Sequence, residues 1–363
     1  MSWNDVKLDE VILFKNGKKR PIGTGKFPVY GGNGILGYAD RPNNRNCVIV
    51  GRVGAYCGSA YYEDGDCWVS DNAICALPKG ENDIIFLYYL LKSLELNKRH
   101  IGTSQPLLTQ EILNSIVCKI PEKDTQFKIG RLLRTLDEKI AVNQKINDNL
   151  EQQAKAIFDD HFINIDTIPA GWKKGNLLDI ANYLNGLAMQ KFRPQRNEIG
   201  LPVLKIKELR QGSCDDSSEL CSLSIKPEYI IHDGDVIFSW SGSLLVDIWC
   251  GGICGLNQHL FKVTSDVYDK WFYYLWTAHH LARFIAIAAD KATTMGHIKR
   301  EELAKAEVLI PCEEDYTSLN SIMQPIFELI ISNRIESRKL AALRDELLPK
   351  LMSGEIDVSA VQL

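Results

Sequence analysis

Apolar residues in this chain recur in two long runs at helical spacing. Ile129, Leu133, Leu136, Ile140, Asn143, Asn147, Leu150, Ala154 and Ile157 alternate in steps of four and three, the seam of a coiled coil. Leu319, Met323, Ile326, Ile330, Asn333, Ser337, Leu340, Arg344 and Leu347 repeat that spacing 190 residues later. Both seams are apolar at the ends and polar in the middle. Because the interruptions coincide, the two helices are expected to pack on each other rather than separately on their own domains. Elsewhere the pattern shortens. Residues 46–62 and 234–250 are rich in Val, Ile, aromatic residues and Gly and predict strands. Residues 82–97 and 268–287 predict helices, with Tyr88, Tyr89, Tyr273 and Tyr274 as core residues. Residues 109–115 and 297–305 predict short helices leading into strands that end at Pro121 and Pro311.

The pattern is internally repeated. Trp3, Leu8 and Val11 return as Trp172, Leu177 and Ile180 at an offset of 169, and Phe27-Pro28-Val29 as Leu201-Pro202-Val203 at 174. Asn72 and Phe86-x-Tyr88-Tyr89-Leu90 align with Asn257 and Trp271-x-Tyr273-Tyr274-Leu275 at 185. Thr103, Leu108, Glu111, Leu113, Ile120 and Pro121 align with Thr293, Ile298, Glu301, Leu303, Ile310 and Pro311 at 190. An offset that only grows implies loop insertions in the second copy. The expected architecture is α+β module, long helix, α+β module, long helix.

Composition places the 363 residues among two-domain globular proteins, with 45% apolar and 24% charged residues. No stretch is apolar enough for a membrane span, and MSWNDVKLDE has no signal-peptide pattern, so a cytoplasmic protein is expected. Ten cysteines without a Cys-x-x-Cys pair read as reduced residues on buried strands. The best metal candidate, Cys250, Cys254 and His259, lacks a fourth ligand, so neither metal nor cofactor is expected. Gly32-Asn33-Gly34-Ile35-Leu36-Gly37 satisfies G-x-G-x-x-G, yet Pro42 and the Asn43-Asn44 pair follow where a helix would have to run. A Gly-rich turn presenting backbone amides and Tyr side chains fits better. Phosphate-loop, zinc-protease, nucleophile-elbow and amino-methylating motifs are all missing, and nothing compels an enzyme.

A net charge of −4 argues against nucleic-acid binding until it is resolved along the chain. Residues 1–62 hold nine basic against four acidic residues, and 63–124 six against ten. Residues 185–211 hold six against two, and 212–270 three against nine. Lys18, Lys19 and Arg20 in the first copy, and Gln190, Lys191, Arg193 and Arg196 in the second, lie beside Gly, Asn and aromatic residues. Lys and Arg neutralise phosphates, and Arg, Asn and Gln can read base edges. Tyr30, Asn33, Tyr38, Arg41, Arg52, Lys205 and Lys207 complete these candidate surfaces. Ser104 and Gln105, with Thr293, Thr294, His297 and Lys299 as counterparts, either cap a short helix or approach DNA.

The ordered set of features resembles the specificity subunit of type I restriction-modification systems over nearly the whole length. Its carriers are Trp3, Trp172, the Tyr30–Tyr38 run, Ser70-Asp71-Asn72-Ala73, the Gly102–Pro121 segment, both long helices and the Leu340–Ile356 close. The resemblance implies two target-recognition domains, 1–124 and 166–315, each reading half of a bipartite asymmetric site in double-stranded DNA. The helical spans 125–165 and 316–363 would form an antiparallel coiled coil, with Leu136, Ile140, Asn143 and Leu150 facing Ile326, Ile330, Asn333 and Leu340. It further implies partner methyltransferase subunits, two of them, that supply the S-adenosylmethionine chemistry, and nuclease-translocase subunits for cleavage. A stand-alone methyltransferase or nuclease is the alternative. The second copy departs from the pattern, with Lys205-Ile206-Lys207-Glu208-Leu209 where the first has its Gly-rich run, so the copies are expected to read different bases. From Ile129 to Ile157 the helix would span about 42 Å, close to the roughly 34–36 Å of one DNA turn.

Overall fold

The computed structural model describes residues 3–102, 105–290 and 298–361. They form two compact units, one of residues 1–139 with 340–363 and one of residues 140–339. Each long helix therefore contributes one part to each unit. The first runs Lys123–Phe158 and the second Glu313–Ser353. Among the described residues no helix is long and apolar enough to cross a membrane.

Each module is entered in the same way. In the first unit the strand Trp3–Lys7 pairs antiparallel with Val117–Pro121, then turns into the single helical turn Leu8–Val11. Glu10 closes that turn by accepting from the Lys7 amide at 2.7 Å. In the second unit Lys173–Asn176 pairs with Glu307–Ile310, Leu177–Ile180 follows, and Asp179 accepts from the Asn176 amide at 2.8 Å. Fully buried Leu8 and Leu177 drop into the two cores from these turns.

The first module is then built on a six-stranded sheet. Its order is Ile12–Asn16, Ala73–Pro78, Asn44–Gly51, Ala60–Val69, Phe27–Gly31 and Gly34–Ala39, antiparallel except between Phe27–Gly31 and Ala60–Val69. The second module divides the equivalent strands between two sheets. One joins Asn182–Asn185, Leu260–Thr264, Val236–Ser239 and Leu245–Ile248, and the other joins Leu220–Cys221, Leu201–Leu204, Cys254–Leu256 and Ile230–Ile231. The helix Ile84–Ser93 covers the first sheet, with Phe86 and Tyr89 buried. Lys270–His279 does the same in the second, burying Trp271, Phe272 and Trp276. All ten cysteines are free thiols, eight of them buried.

The long helices belong to these cores as much as to each other. Ile129, Leu133 and Leu351 lie fully buried among Phe14, Phe86 and Leu113. Met323, Phe327 and Phe158 lie buried among Tyr183, Phe238 and Trp271. Burial of each such side chain contributes about 1.5–3 kcal/mol. In the first unit Asp137 accepts from both the Tyr89 hydroxyl, at 2.6 Å, and the Arg344 guanidinium, at 2.5 Å. In the second, Arg334 reaches Glu151 and Asp247, both at 2.8 Å, while Arg338 grips Asp233 with two nitrogens at 2.7 and 2.8 Å. Burial works against the Arg334 charge, and these two carboxylates outweigh it and hold the guanidinium protonated.

The seam is polar in its middle, and the helix segments of the second unit run antiparallel there. Asn333 donates to the Asn147 side-chain oxygen at 2.9 Å, and Asn147 donates to the Ile330 carbonyl at 3.2 Å. Asn143 donates to Glu336 at 2.7 Å and to Ser337 at 3.3 Å. Asn143 and Asn333, equivalent in the repeat, thus each face the counterpart of the other's partner. Ile330 is buried and Ile140, Leu150 and Ile326 are half-buried beside them, as are Leu136 and Leu340 in the first unit.

Asn333→Ala leaves the buried Asn147 oxygen without its donor and is expected to cost about 1–3 kcal/mol. Replacing both Asn147 and Asn333 by Leu is expected to restore or exceed wild-type stability, as apolar seam pairs do. Denaturant unfolding measures both, and a single variant as stable as wild type would remove the asparagine layer's role.

Candidate nucleic-acid interface

In the first module, four loops converge on one end of the sheet. Gly17 lies so close to the turn after Val69 that a Cβ there would come within 1.9 Å of the Ser70 carbonyl oxygen. The turn at Gly32-Asn33 is held by Ser59, whose hydroxyl donates to the Gly32 carbonyl at 2.5 Å. The segment after Arg52 is tied to the 101–107 loop, since the Gly54 amide donates to Pro106 at 3.0 Å and Val53 bridges Leu107. The sequence candidates Asn33, Arg52 and Gln105, far apart in the chain, are carried by these loops, together with Asp71 and Asn72.

The basic segment Lys18–Arg20 runs beside them, exposed. Trp68 ties it down, donating from its indole to the Lys18 carbonyl at 3.2 Å while its ring lies 5.9 Å from the Arg41 guanidinium. Arg20 donates to the Leu36 carbonyl at 3.2 Å and so lies on the hairpin of Phe27–Gly31 and Gly34–Ala39. No helix follows the glycines. Gly34 and Gly37, with φ of 78° and 145°, take conformations that favour glycine in a hairpin. Tyr38 is exposed on that hairpin together with Ile35 and Leu36, two apolar residues the sequence reading passed over.

Tyr30, expected on the DNA-facing surface, lies inside the module. Only 7% exposed, it is a core residue whose hydroxyl donates to Glu63 at 2.9 Å. Burial and that carboxylate push its pKa well above the usual phenol range. It supports the loops from below and does not belong to the surface.

In the second module, Gln190, Lys191, Arg193 and Arg196 are exposed on a loop anchored by buried Met189. Glu198 closes the loop, accepting from the Gln195 amide at 2.8 Å, the Ser222 hydroxyl at 2.7 Å and the Leu223 amide at 2.6 Å, and these bonds lower its pKa. The Lys205-to-Leu209 run forms the helix Ile206–Gln211 where the first module has its hairpin. Its charge is compensated locally. Lys205 pairs with Glu219 at 2.7 Å, Arg193 with the same carboxylate at 3.6 Å, and Lys207 with Asp215 at 3.4 Å. Lys299 is exposed. Ser104, Thr293, Thr294 and His297 lie outside the described residues.

A polar cluster without Lys or Arg occupies the second module's loop end. Trp240 donates from its indole to Asn185 at 3.0 Å, Ser241 and His259 Nδ1 lie 3.0 Å apart, and the His259 amide donates to Asn257 at 3.2 Å. His259 is thus engaged with Ser241, while Cys254 is fully buried in the core, and among the described residues no group of side chains suits a metal ion. The sequence reading missed this cluster. Its signal was Asn185-Gly186, which repeats Asn16-Gly17 at the same offset of 169 as Trp172 and Trp3.

Six backbone hydrogen bonds prove to be the same in both modules. Gly17 and Gly186 donate to Ala73 and Leu260, both at 3.0 Å. Lys18 and Leu187 donate to Val69 and Leu256, at 3.0 and 2.9 Å. Ser70 and Asn257 donate to Tyr30 and Leu204, at 2.9 and 3.2 Å, and accept from Ala73 and Leu260, both at 3.0 Å. Arg52 and Trp240 donate to Asn72 and His259, at 2.9 and 3.4 Å, and accept from Leu108 and Ile298, at 2.8 and 3.1 Å.

This frame corrects the repeat alignment. Asn257 matches Ser70, not Asn72, at an offset of 187, and Trp240 matches Arg52 at 188. At the covering helix the offset is 186: the Asp83 and Asp269 amides donate to Gln126 at 3.0 Å and to Tyr316 at 2.7 Å. The offset therefore falls as well as grows. At equivalent points one module carries Arg52, Asp71 and Asn72, and the other Trp240, Gln258 and His259. A single backbone frame presents two different sets of side chains.

Comparison with known proteins agrees with this duplicated plan. The model of the type I restriction modification DNA specificity domain matches residues 1–152 and again 169–343. The specificity subunit of the type I restriction enzyme MjaIX of Methanocaldococcus jannaschii is 27% identical over 302 residues, spanning 75% of this chain and 69% of that protein. The HindI specificity subunit of Haemophilus influenzae is 21% identical over 370 residues, 79% of each chain. In fold, the S subunit of a type I restriction-modification system from M. genitalium superposes with a TM-score of 0.66 at 16% identity, covering 97% of this chain and 96% of that one. With its two modules both matched by the family model, the chain belongs to the type I restriction-modification DNA specificity family.

Proposed function

We propose that this chain is the non-catalytic DNA-reading subunit of a type I restriction-modification complex, working in the cytoplasm. The recognition domains are residues 1–124 and 166–315, each reading one half of a bipartite asymmetric site in double-stranded DNA. The spans 125–165 and 316–363 are the helical spacer and the platform for two methyltransferase subunits. Nuclease-translocase subunits join that assembly for cleavage. The observation that carries this reading is the shared six-bond frame bearing different polar side chains. A device for reading two unlike half-sites needs one scaffold used twice with changed contacts.

Exposed Lys18, Lys19, Arg20 and Arg41, with Lys191, Arg196 and Lys299, supply phosphate contacts. Asn33, Tyr38, Arg52 and Gln105 in the first domain, and Gln190 with the Trp240–His259 cluster in the second, lie on or beside the loops that meet bases. Lys205, Lys207 and Arg193, already paired with carboxylates, give up an ion pair before they can meet a phosphate and contribute less.

Two outcomes test the reading in the complex with its methyltransferase. Changing Lys18, Lys19 and Arg20 together to Ala is expected to reduce the slope of log affinity against log salt by about 2–3 while leaving the methylated sequence unchanged. A changed sequence with an unchanged slope would contradict the phosphate role. Removing one heptad from each long helix shortens the spacer by about 10 Å, or about 3 base pairs, and is expected to shorten the gap between half-sites without altering either. Altered half-sites would sink the ruler. Methylation by the purified chain alone would overturn the whole reading.

A further inference from the structure

Arg52 is unlike the other cations of the first module. Lys18, Lys19, Arg20 and Arg41 are exposed, whereas Arg52 is half-buried at the centre of the loop cluster. Its backbone is fixed on both sides by the bonds to Asn72 and Leu108, and its carbonyl also accepts from the Cys57 thiol at 3.3 Å. Its Nε is buried and has no hydrogen-bond partner, and neither has the buried hydroxyl of Ser70 on the neighbouring turn. Among the described residues no carboxylate pairs with Arg52. A guanidinium has five donors in a fixed fork, and leaving them partly desolvated and unpaired costs stability unless a ligand fills them. Exposed cations on flexible stems suit phosphates, which any sequence offers. A guanidinium on a clamped backbone suits a planar acceptor pair at one defined position, and in the major groove guanine N7 and O6 are that pair.

We propose that Arg52 is the specificity-determining residue of the first module, donating two hydrogen bonds to a guanine of its half-site, and that Trp240 at the same frame position denies the second module that contact. The assignment rests on the reading of this chain as a DNA specificity subunit. The indole of Trp240 has one donor, already committed to Asn185. Reading in the second module falls instead to Gln258 and His259, the counterparts of Asp71 and Asn72.

The test uses the complex of the full chain with its methyltransferase on a duplex library with both half-sites randomised. The wild-type complex is expected to require guanine at one position of the half-site read by the first module. Arg52→Gln should lower discrimination there by about 10- to 100-fold, leave the other half-site intact and unfold no lower than the wild-type temperature, since the frame bonds are main-chain. Arg52→Lys, which keeps the charge and can still donate to guanine, should retain a weaker preference. Uniformly slower methylation of the same sites by both variants would make Arg52 a phosphate contact and overturn the assignment. Relaxation confined to the other half-site would overturn it equally. A wild-type complex that methylates no bipartite site would overturn both this inference and the reading beneath it.

Discussion

Each recognition module depends on a backbone approach that only glycine permits. At Gly17 and Gly186 the chain passes so close to the following turn that a Cβ would lie 1.9 Å from the Ser70 carbonyl oxygen and 2.2 Å from that of Asn257. That closeness lets the entering strand share hydrogen bonds with the turn, and through the turn with the parallel strand and the loop of Arg52 or Trp240. Nearly every residue proposed to meet DNA in the first module is carried on, or beside, a segment this junction holds.

The long helices were the most legible part of the sequence, because 29 residues at one spacing leave few alternatives. The modules were legible as repeats but not in register. Similarity in residue type drew Asn72 against Asn257, whereas equivalence is carried by main-chain bonds that leave no trace in side-chain identity. A single residue gained or lost between strands is then invisible. Tyr30 misled for a related reason: a tyrosine beside glycines reads as a displayed ring, and only the sheet shows that its face is turned inward onto Glu63.

Charge division along the chain was half right. In the first module Arg45 lies 3.9 Å from Asp66, but among the described residues Lys18, Lys19, Arg20 and Arg41 form no ion pair with the acidic segment. In the second, the acids of residues 212–270 fold back onto the basic stretch, so that Glu219 and Asp215 neutralise Lys205, Arg193 and Lys207. Windowed counts treat neighbours in sequence as neighbours in space, and a helix replacing a hairpin was enough to break that assumption. The polar cluster of Asn185, Trp240 and His259 carries no charge at neutral histidine and was silent to the same count.

The frame is made of amide and carbonyl groups, which every residue except proline supplies in the same form. Substitutions at Arg52, Asp71 or Asn72, and at their counterparts, therefore change what a module can touch while leaving its main-chain bonds in place. Stability and recognition draw on separate atoms of the same residues. For a lineage in which a new DNA target is an advantage, such loops can drift through many side chains without passing through an unfolded intermediate, and the two halves can diverge from a common ancestor at independent rates.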